Sequence, residues 1–437
     1  MTAQMPVITG LGAITPLGLS YKDLWSGLCQ GKCGIARITA FDPAGFTCQI
    51  AGQAPDFSIR DHVPKAIRKT TKLMSRDIEL AVVAANEAFK DAGLKTKAFD
   101  EQNITIEPRR TAIILGAGLI SCDLVELAPA VAKGITDGKF DIKKWGTHSI
   151  EAVTPLWLLK YLPNMLACHV GIIHDIQGPS NTITCAEAAG HLAIIEAAQI
   201  ISRGDAELAL AGGGEAKVNP IVHLRQCLNK RATASNNDNP QGACRPFDAD
   251  AKGSVFGEAA GCVILENPEN AKKRGAKIYA QIAGMGQSCS INAKYESLEP
   301  DGKGVQFAIE ASLANAGIKP EQLDLIIPHG TGIFADDIAE AAGIRKALGD
   351  TADKIPILPT KSMTSNTGAA AGAVDIIAAC CMMNDGIIPA AKNCEHINKD
   401  CKLNIVKEQI KKKINYVLCT SYTYGGQTAA IVLKKYE

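Results

Sequence analysis

Short apolar runs alternate with longer stretches of helical periodicity from one end of the chain to the other. This alternation is typical of α/β proteins, in which helices cover buried sheets, rather than of sandwiches or bundles. The runs that we predict as strands are residues 5–8, 111–115, 182–185, 208–211, 262–266, 278–284, 325–328, 355–358, 416–420 and 429–433. About half of them fall in each half of the chain, so we expect a two-half arrangement.

The charged segment 267–277 separates these halves, and it contains Pro268 and Gly275, which interrupt regular structure. A chain of 437 residues is long enough for two such units. We therefore predict an N-terminal half, residues 1–266, and a C-terminal half, residues 267–437. The halves share no obvious sequence repeat.

Residues 178–190 predict a strand that runs directly into a helix. A Gly-Pro turn opens the segment, residues 181–185 have the composition of a buried strand, and apolar residues recur at helical spacing from Ala188. Such a junction leaves a sharp turn near Glu187, where one side chain and the first free N–H groups of the helix face a cavity. That geometry serves nucleophiles and oxyanion binding, although an ordinary strand-to-helix connection has the same pattern.

Composition and charge argue against several classes of function, among them nucleic-acid binding and membrane association. The formal net charge is +1 and no block of like charge stands out, so we expect neither nucleic acid nor a membrane surface as a partner. No apolar run could span a bilayer and residues 1–10 do not resemble a signal peptide, which predicts a cytoplasmic protein. The 15 cysteines lack paired CxxC clusters, so we interpret most as reduced core residues and expect no metal and no cofactor.

Several separate motifs, in the same order along the chain, resemble those of the β-ketoacyl-acyl-carrier-protein synthase (ketosynthase) family. They are residues 178–180 with the elbow that follows, 211–215, 245–261, 329–340, 361–375 and 422–426. The resemblance covers nearly the whole chain. It implies an α/β fold of the thiolase-like double type, with five αβαβα layers, in a protein that is usually an obligate dimer.

Members of this family hold an acyl chain on an elbow cysteine and condense it with a malonyl unit carried by an acyl carrier protein, assisted by two histidines. This chemistry needs a thiolate, a nearby imidazole pair and oxyanion donors. Aligned without a gap, the cysteine position is Glu187, the first histidine is His329 and the second, in the KSMTGH-type motif, is Asn366. The resemblance therefore implies a site without its nucleophile and without one histidine.

The same resemblance assigns supporting residues below the pocket. Lys361 and Glu340 correspond to a supporting ion pair, and Asp375 is a further supporting residue. We expect Lys361 and Glu340 to form a buried pair whose loss from one side would be destabilising. His329 and these residues also suit a purely architectural role in a subunit that has no nucleophile.

Further positions depart from the family pattern. Ser254 stands where the family has a phenylalanine, Asp336 where it has an asparagine, and Tyr424 where it has the gating phenylalanine of its GFGG loop. These losses resemble the cysteine-free chain-length-factor subunits of type II polyketide and aryl-polyene synthases, which pair with an active ketosynthase. Leu119 and Trp157 would correspond to pocket and dimer-facing positions, which in those subunits limit the length of the growing acyl chain. The predicted partners are an active ketosynthase subunit, in a heterodimer, and an acyl carrier protein.

Two alternatives stay open at this point. A shift of two residues would make Cys185 the nucleophile of an active β-ketoacyl synthase, although a cysteine inside a strand is usually a packed, inert side chain. The chain could also be a malonyl-carrier decarboxylase, as in relatives whose cysteine is a glutamine. An ionised Glu187 would repel the malonyl carboxylate, unless burial keeps the glutamate neutral.

Overall fold

The computed structural model describes residues 5–290, 292 and 297–436. In this part of the chain, the main sheet contains β1 (Val7–Ile14), β2 (Thr111–Ala117), β3 (Ser180–Ile183), β4 (Leu208–Ala216), β5 (Glu258–Glu266), β6 (Ala280–Cys289), β7 (Leu325–Ile327), β8 (Tyr416–Tyr422) and β9 (Gln427–Lys434). The longer helices are α1 (Tyr21–Cys29), α2 (Arg76–Asp91), α3 (Leu124–Lys133), α4 (Met165–His174), α5 (Ala189–Arg203), α6 (Pro220–Leu228), α7 (Pro268–Lys273), α8 (Lys303–Ala316), α9 (Phe334–Leu348) and α10 (Ala371–Asp385). Short antiparallel pairs join Ile35–Arg37 to Ile50–Gly52, Ile135–Thr136 to Lys139–Phe140, and Ile387–Ile388 to Ile410–Lys411.

The strand order is β7-β8-β9-β6-β1-β5-β4-β2-β3. The pattern of antiparallel and parallel neighbours is similar on the two sides of the β6–β1 junction. On one side, β1, β5 and β4 are antiparallel neighbours and β2 and β3 add in parallel. On the other side, β6, β9 and β8 are antiparallel neighbours and β7 adds in parallel. Among the described residues, the pairs Val7 with Gln281 and Ile8 with Ala280 join the two half-sheets. The division of the chain at residue 266 stays a prediction, which this similarity supports.

Two helices fill the space between the half-sheets. α5 packs on β2 and β4, and α10 packs on β5 and β8. Every residue of α10 from Ala371 to Met383 is buried, as expected for a helix that is apolar on all sides. α2 and α4 cover the outside of the first half-sheet, α8 covers the outside of the second, and α9 packs on α8. These are five layers, α, β, α, β, α, so the predicted thiolase-like double fold is confirmed.

The strand predictions are confirmed in type with two exceptions. Residues 355–358 form no strand, since Ile357 makes only isolated bridges. The strand predicted at residues 182–185 begins and ends two residues earlier, and it lies at the edge of the sheet, where Ser180 and Asn181 are exposed. It has one neighbouring strand, β2, and it ends before Cys185.

Within the described ranges, no helix has the length and the apolar character needed to cross a membrane. Over the same residues, no group of three His, Cys, Asp or Glu side chains is placed to hold a metal ion. The cytoplasmic location stays a prediction.

Candidate functional site

A single turn connects β3 to α5 and presents Glu187 at its tip. The 3-10 turn Ala186–Ala188 leads directly into α5, and Ala186 has a φ of 42°, which is unfavourable for a residue with a side chain. Glu187 itself is only 3% exposed, while Cys185 is half-buried and lies outside the strand. The predicted sharp turn is therefore confirmed, with the kind of backbone strain that is common at functional turns.

Glu187 lies in a buried group of charges that we call the charged cluster: Glu187, Lys217 and Glu215. Lys217 Nζ is 3.8 Å from Glu187 Oε1 and 3.0 Å from Glu215 Oε1. Glu215 Oε2 also accepts a hydrogen bond of 2.7 Å from the backbone N–H of Ala369. Burial lowers the pKa of the Lys217 ammonium, but Glu215 and Glu187 raise it by more, so this pKa lies above its ordinary value. Glu187, which the resemblance places at the nucleophile position, thus lies at ion-pair distance from a buried cation.

Arg231 is a second buried cation beside this cluster. Its Nη2 lies 2.7 Å from Asp336 Oδ2, and both side chains are buried. Its guanidinium carbon lies 4.8 Å from the centroid of the Tyr424 ring, a cation–π distance. Burial lowers the pKa of Arg231, but Asp336 and then Glu187 raise it by more. The charge of Glu187 therefore acts on two buried cations, Lys217 and Arg231.

His329 is fully buried with its ring edge-on to Tyr422, at 4.7 Å between ring centroids. Neither ring nitrogen has a hydrogen-bond partner among the described residues. Burial, followed by the nearby charge of Lys361, holds the pKa of His329 well below its usual range. The imidazole is consequently neutral at pH 7.

The predicted ion pair between Lys361 and Glu340 is wrong. Lys361 Nζ lies 3.1 Å from Asp375 Oδ2 instead. The Glu340 carboxylate accepts hydrogen bonds from the backbone N–H groups of His329 and Gly330, at 2.7 and 2.8 Å, and from the Thr420 hydroxyl at 3.0 Å. Asp375 is therefore the ion-pair partner of Lys361, and Glu340 holds the backbone that carries His329.

Asn366, which the resemblance places at the second histidine, is buried. Its backbone N–H donates to the carbonyl of Val255 at 2.8 Å, and its carbonyl accepts from Gly257 at 3.0 Å. The backbone N–H of Ser254, in the same segment, donates to the carbonyl of Arg231 at 2.9 Å. Asn366 Nδ2 and Ser254 Oγ are buried without a hydrogen-bond partner in the described part of the chain. The structure therefore brings Asn366, Ser254 and Arg231 together.

The remaining predicted pocket residues lie further out. Leu119 follows β2 and is 58% exposed, but its neighbour Gly118 packs directly on the charged cluster, since a Cβ there would be 2.0 Å from the Glu215 carboxyl carbon. Trp157 is partly buried against the outer core that contains α2, with its ring 6.1 Å from that of Tyr161. That these residues limit chain length stays a prediction.

Sequence reasoning missed Lys217, Arg231 and His191. His191 lies one turn beyond Glu187 and is fully buried, with its Nδ1 2.7 Å from Ser421 Oγ and its pKa lowered by burial to about 3. Lys217 lies two residues beyond a recognised motif, and Arg231 lies between two motifs. The available signal was Glu187 itself, because a carboxylate at a buried elbow requires a buried cation.

Known proteins resemble this chain over its whole length. Residues 6–271 match "Beta-ketoacyl synthase, N-terminal domain" and residues 279–395 match "Beta-ketoacyl synthase, C-terminal domain". The 3-oxoacyl-[acyl-carrier-protein] synthase 2 of Synechocystis sp. is 32% identical, over 99% of this chain and 98% of the relative. That of Coxiella burnetii is 34% identical, over 100% of this chain and 99% of the relative.

Two solved structures also resemble the fold. "The ishigamide ketosynthase/chain length factor" has a TM-score of 0.85 at 28% identity and covers 100% of both chains. A β-ketoacyl synthase from Burkholderia phymatum has a TM-score of 0.85 at 25% identity, over 99% of this chain and 100% of the other. This chain therefore belongs to the β-ketoacyl synthase family.

Proposed function

We propose that this chain is the non-condensing, chain-length-factor type subunit of a two-subunit ketosynthase, and that its partner is a ketosynthase with an intact Cys-His-His site. The observation that carries the proposal is the buried Glu187, which the family resemblance places at the acyl-accepting position and which lies 3.8 Å from the buried Lys217. A carboxylate in this position cannot form the thioester that condensation requires. Asn366 offers no imidazole in the second histidine position.

The curated relatives are named as 3-oxoacyl-carrier-protein synthases, so a condensing role for this chain is the competing function. It would require another nucleophile, and Cys185 is the candidate that the sequence offers. Burial raises the pKa of the Cys185 thiol, which opposes formation of the reactive thiolate. The thiol also precedes the tip of the turn, so the site favours the non-condensing role.

A decarboxylase would have to bind the malonyl carboxylate in this site. The two cations that could receive it, Lys217 and Arg231, are already paired with Glu187, Glu215 and Asp336. This arrangement argues against the decarboxylase function.

The edge of the sheet and a nearby apolar segment support pairing with a second subunit. β3 is exposed at Ser180 and Asn181, and an exposed edge strand is a template for a strand of another chain. Large apolar side chains are also exposed in the segment that follows β2, namely Leu119, Leu124, Val125, Ile135, Phe140, Ile142, Ile150, Leu156 and Leu158. Exposed apolar surface of this kind is typical of an interface.

The 3-10 helix Lys65–Leu73 suits an acidic protein partner, and we propose that it binds the acyl carrier protein. It carries four basic side chains and no acidic one, in a chain whose net charge is only +1. Of these, Lys65, Lys69 and Lys72 are exposed. A cavity of about 400 Å³ beside the helix is lined in part by Arg60 and Lys72.

Co-expression with a ketosynthase from the same gene neighbourhood, followed by size-exclusion chromatography, tests the pairing. We expect a stable heterodimer that buries more than about 2,000 Å², the range of obligate interfaces. A stable homodimer that ignores the ketosynthase would contradict the proposal. Intact-protein mass spectrometry with an acyl-carrier donor tests the chemistry, and a stoichiometric adduct that maps to Cys185 would establish the condensing alternative.

A further inference from the structure

The last part of the chain is rich in lysine. Residues 399–437 contain eight lysines and three acidic residues, whereas the whole chain has a net charge of only +1, so the rest of the chain is slightly acidic. Three of these lysines are consecutive, residues 411–413. Two more, Lys434 and Lys435, lie at the end of β9 and directly after it.

The fold brings these two groups of lysines to one cavity of about 510 Å³, beside the start of β8 and the end of β9. The residues that line it are Gln322, Asp324, Lys413, Asn415, Tyr416, Lys434 and Lys435. Lys434 lies directly opposite Tyr416 in the antiparallel pairing of β8 with β9, so the sheet fixes its position. The volume falls within the range of small-molecule sites, roughly 300–1,000 Å³.

Asp324 is the single acidic residue among the described residues that line this cavity, and its carboxylate is already occupied. Its Oδ2 accepts hydrogen bonds from the backbone N–H groups of Asn415 and Tyr416, at 2.7 and 3.2 Å. Its Oδ1 lies 3.1 Å from Lys412 Nζ. The negative charge of Asp324 is therefore compensated by Lys412, and the other lysines of the lining add an excess of positive charge.

The positive charge of Lys435 is not balanced by its observed contact. Its Nζ donates to the carbonyl of Met383 at 3.1 Å, which is a neutral acceptor. Lys413 and Lys434, on the same cavity, are exposed. Like charges around one cavity repel one another, and a bound anion removes that repulsion.

The cavity is separate from the elbow. β8 runs from Tyr416, at the cavity, to Tyr422, whose ring packs against that of His329. Six residue steps along a strand span about 20 Å. A ligand in the cavity therefore does not reach the candidate site, and the inference is independent of the proposed function.

We propose that this cavity binds a small anion that carries two or more phosphate groups, with Lys413, Lys434 and Lys435 as the ammonium donors. A diphosphate carries about three negative charges at neutral pH, which matches three ammonium groups. The side-chain amides of Gln322 and Asn415 supply neutral donors in the same lining. The shared recognition element is the phosphate group, whether it belongs to an inorganic ion or to a nucleotide.

Titration calorimetry of the full chain with inorganic pyrophosphate at low salt tests the site. We expect saturable binding with a dissociation constant below about 1 mM, which weakens as the salt concentration rises. The double variant Lys413→Gln with Lys434→Gln should bind at least about tenfold more weakly, because two charge-assisted contacts are lost. Thermal unfolding checks that the variant is folded.

The double variant Lys32→Gln with Lys252→Gln is the matched control, because it removes the same charge at exposed positions outside the cavity and should keep the affinity. Titration with ADP distinguishes the two sources of phosphate. Tighter binding of ADP than of pyrophosphate would support a nucleotide site, and equal binding would support recognition of the phosphates alone.

Absence of saturable binding with both probes would overturn the proposal. An equal loss of affinity in the two double variants would also overturn it, since only the net charge of the chain would then matter. Failure of the chain to pair with a ketosynthase would leave the titration result unchanged.

Discussion

At the scale of single residues, the glutamate at the elbow belongs to a group of buried charges. Glu187 lies 3.8 Å from Lys217 and its charge also raises the pKa of Arg231. Each of these cations is paired with a further carboxylate, Glu215 and Asp336 respectively. Removing one partner from a buried charge pair costs about 3–5 kcal/mol, because the other charge is left uncompensated. The charges of the site therefore depend on one another, and substituting one member does not by itself create a condensing site.

Glu187→Cys should not turn this chain into a ketosynthase. The resemblance places Asn366 at the position of the second histidine, and catalytic groups that act as a unit recover little rate one at a time. The double variant Glu187→Cys with Asn366→His should still lag far behind a natural enzyme. Condensation of an acyl group with malonyl-carrier, followed by mass spectrometry, measures both. Substantial condensation by the single variant would refute the non-condensing assignment.

Ser365, next to Asn366, carries a measurable strain. Its φ of 65° and ψ of 175° lie in a region that is occupied almost only by glycine, and the KSMTGH-type motif has glycine there. Ser365→Gly should raise the free energy of unfolding by about 1–3 kcal/mol, as measured by thermal or urea unfolding. Ser362→Gly, inside the short helix Lys361–Thr364, is the matched control and should lower it. A loss of stability in both variants would mean that Ser365 is not strained.

At the scale of secondary-structure elements, the local sequence pattern predicted the features that depend on neighbouring residues. The strands, the elbow and the position of Glu187 followed from periodicity and motif spacing, because these depend on neighbouring residues. The edge position of β3 did not, since a strand's neighbours are set by the whole sheet. The sequence pattern also did not predict that Asp375 pairs with Lys361, or that Lys217 and Arg231 lie at the site. These residues meet only after the half-sheets assemble.

The 3-10 helix Lys65–Leu73 gives a prediction at this scale. The double variant Lys65→Glu with Lys69→Glu should weaken binding of the acyl carrier protein to the reconstituted pair by about tenfold or more at 0.1 M salt, because like charges would then face each other. Titration calorimetry at two salt concentrations measures the effect. Lys319→Glu with Lys399→Glu changes the net charge equally at exposed sites elsewhere. Equal weakening by both pairs would show that only the net charge matters.

At the scale of the whole molecule, the candidate site is built on the central helices of the fold. α5 begins directly after Glu187 and packs between the half-sheets with α10, which is buried along nearly all of its length. The proposed function is compatible with this architecture, because a chain without the nucleophile would keep the burial that stabilises these layers. In the proposed heterodimer, this chain would contribute its surface and the space that it encloses with the partner.

The final prediction concerns that space and applies to the reconstituted pair. Trp157 packs on Tyr161 beside the exposed Leu156 and Leu158, in the segment that we propose faces the partner. Trp157→Ala removes a bulky ring without touching either subunit's catalytic residues. If this subunit limits chain length, the variant should yield longer products or a broader distribution, at a rate of condensation set by the unchanged partner.

Liquid chromatography with mass spectrometry reads the product profile, and size-exclusion chromatography confirms that the pair still forms. Trp25→Ala is the matched control, because the Trp25 indole donates to Asp385 Oδ2 at 2.7 Å, outside the segment that we propose faces the partner, and its loss should leave the profile unchanged. The two variants remove the same side chain, so a difference between them reports position rather than the loss of an indole ring. An unchanged profile for Trp157→Ala and for other substitutions around it would leave the heterodimer in place but remove the measuring role. The chain would then act by completing the partner's structure, since neither its charged elbow nor its enclosed space would affect the product.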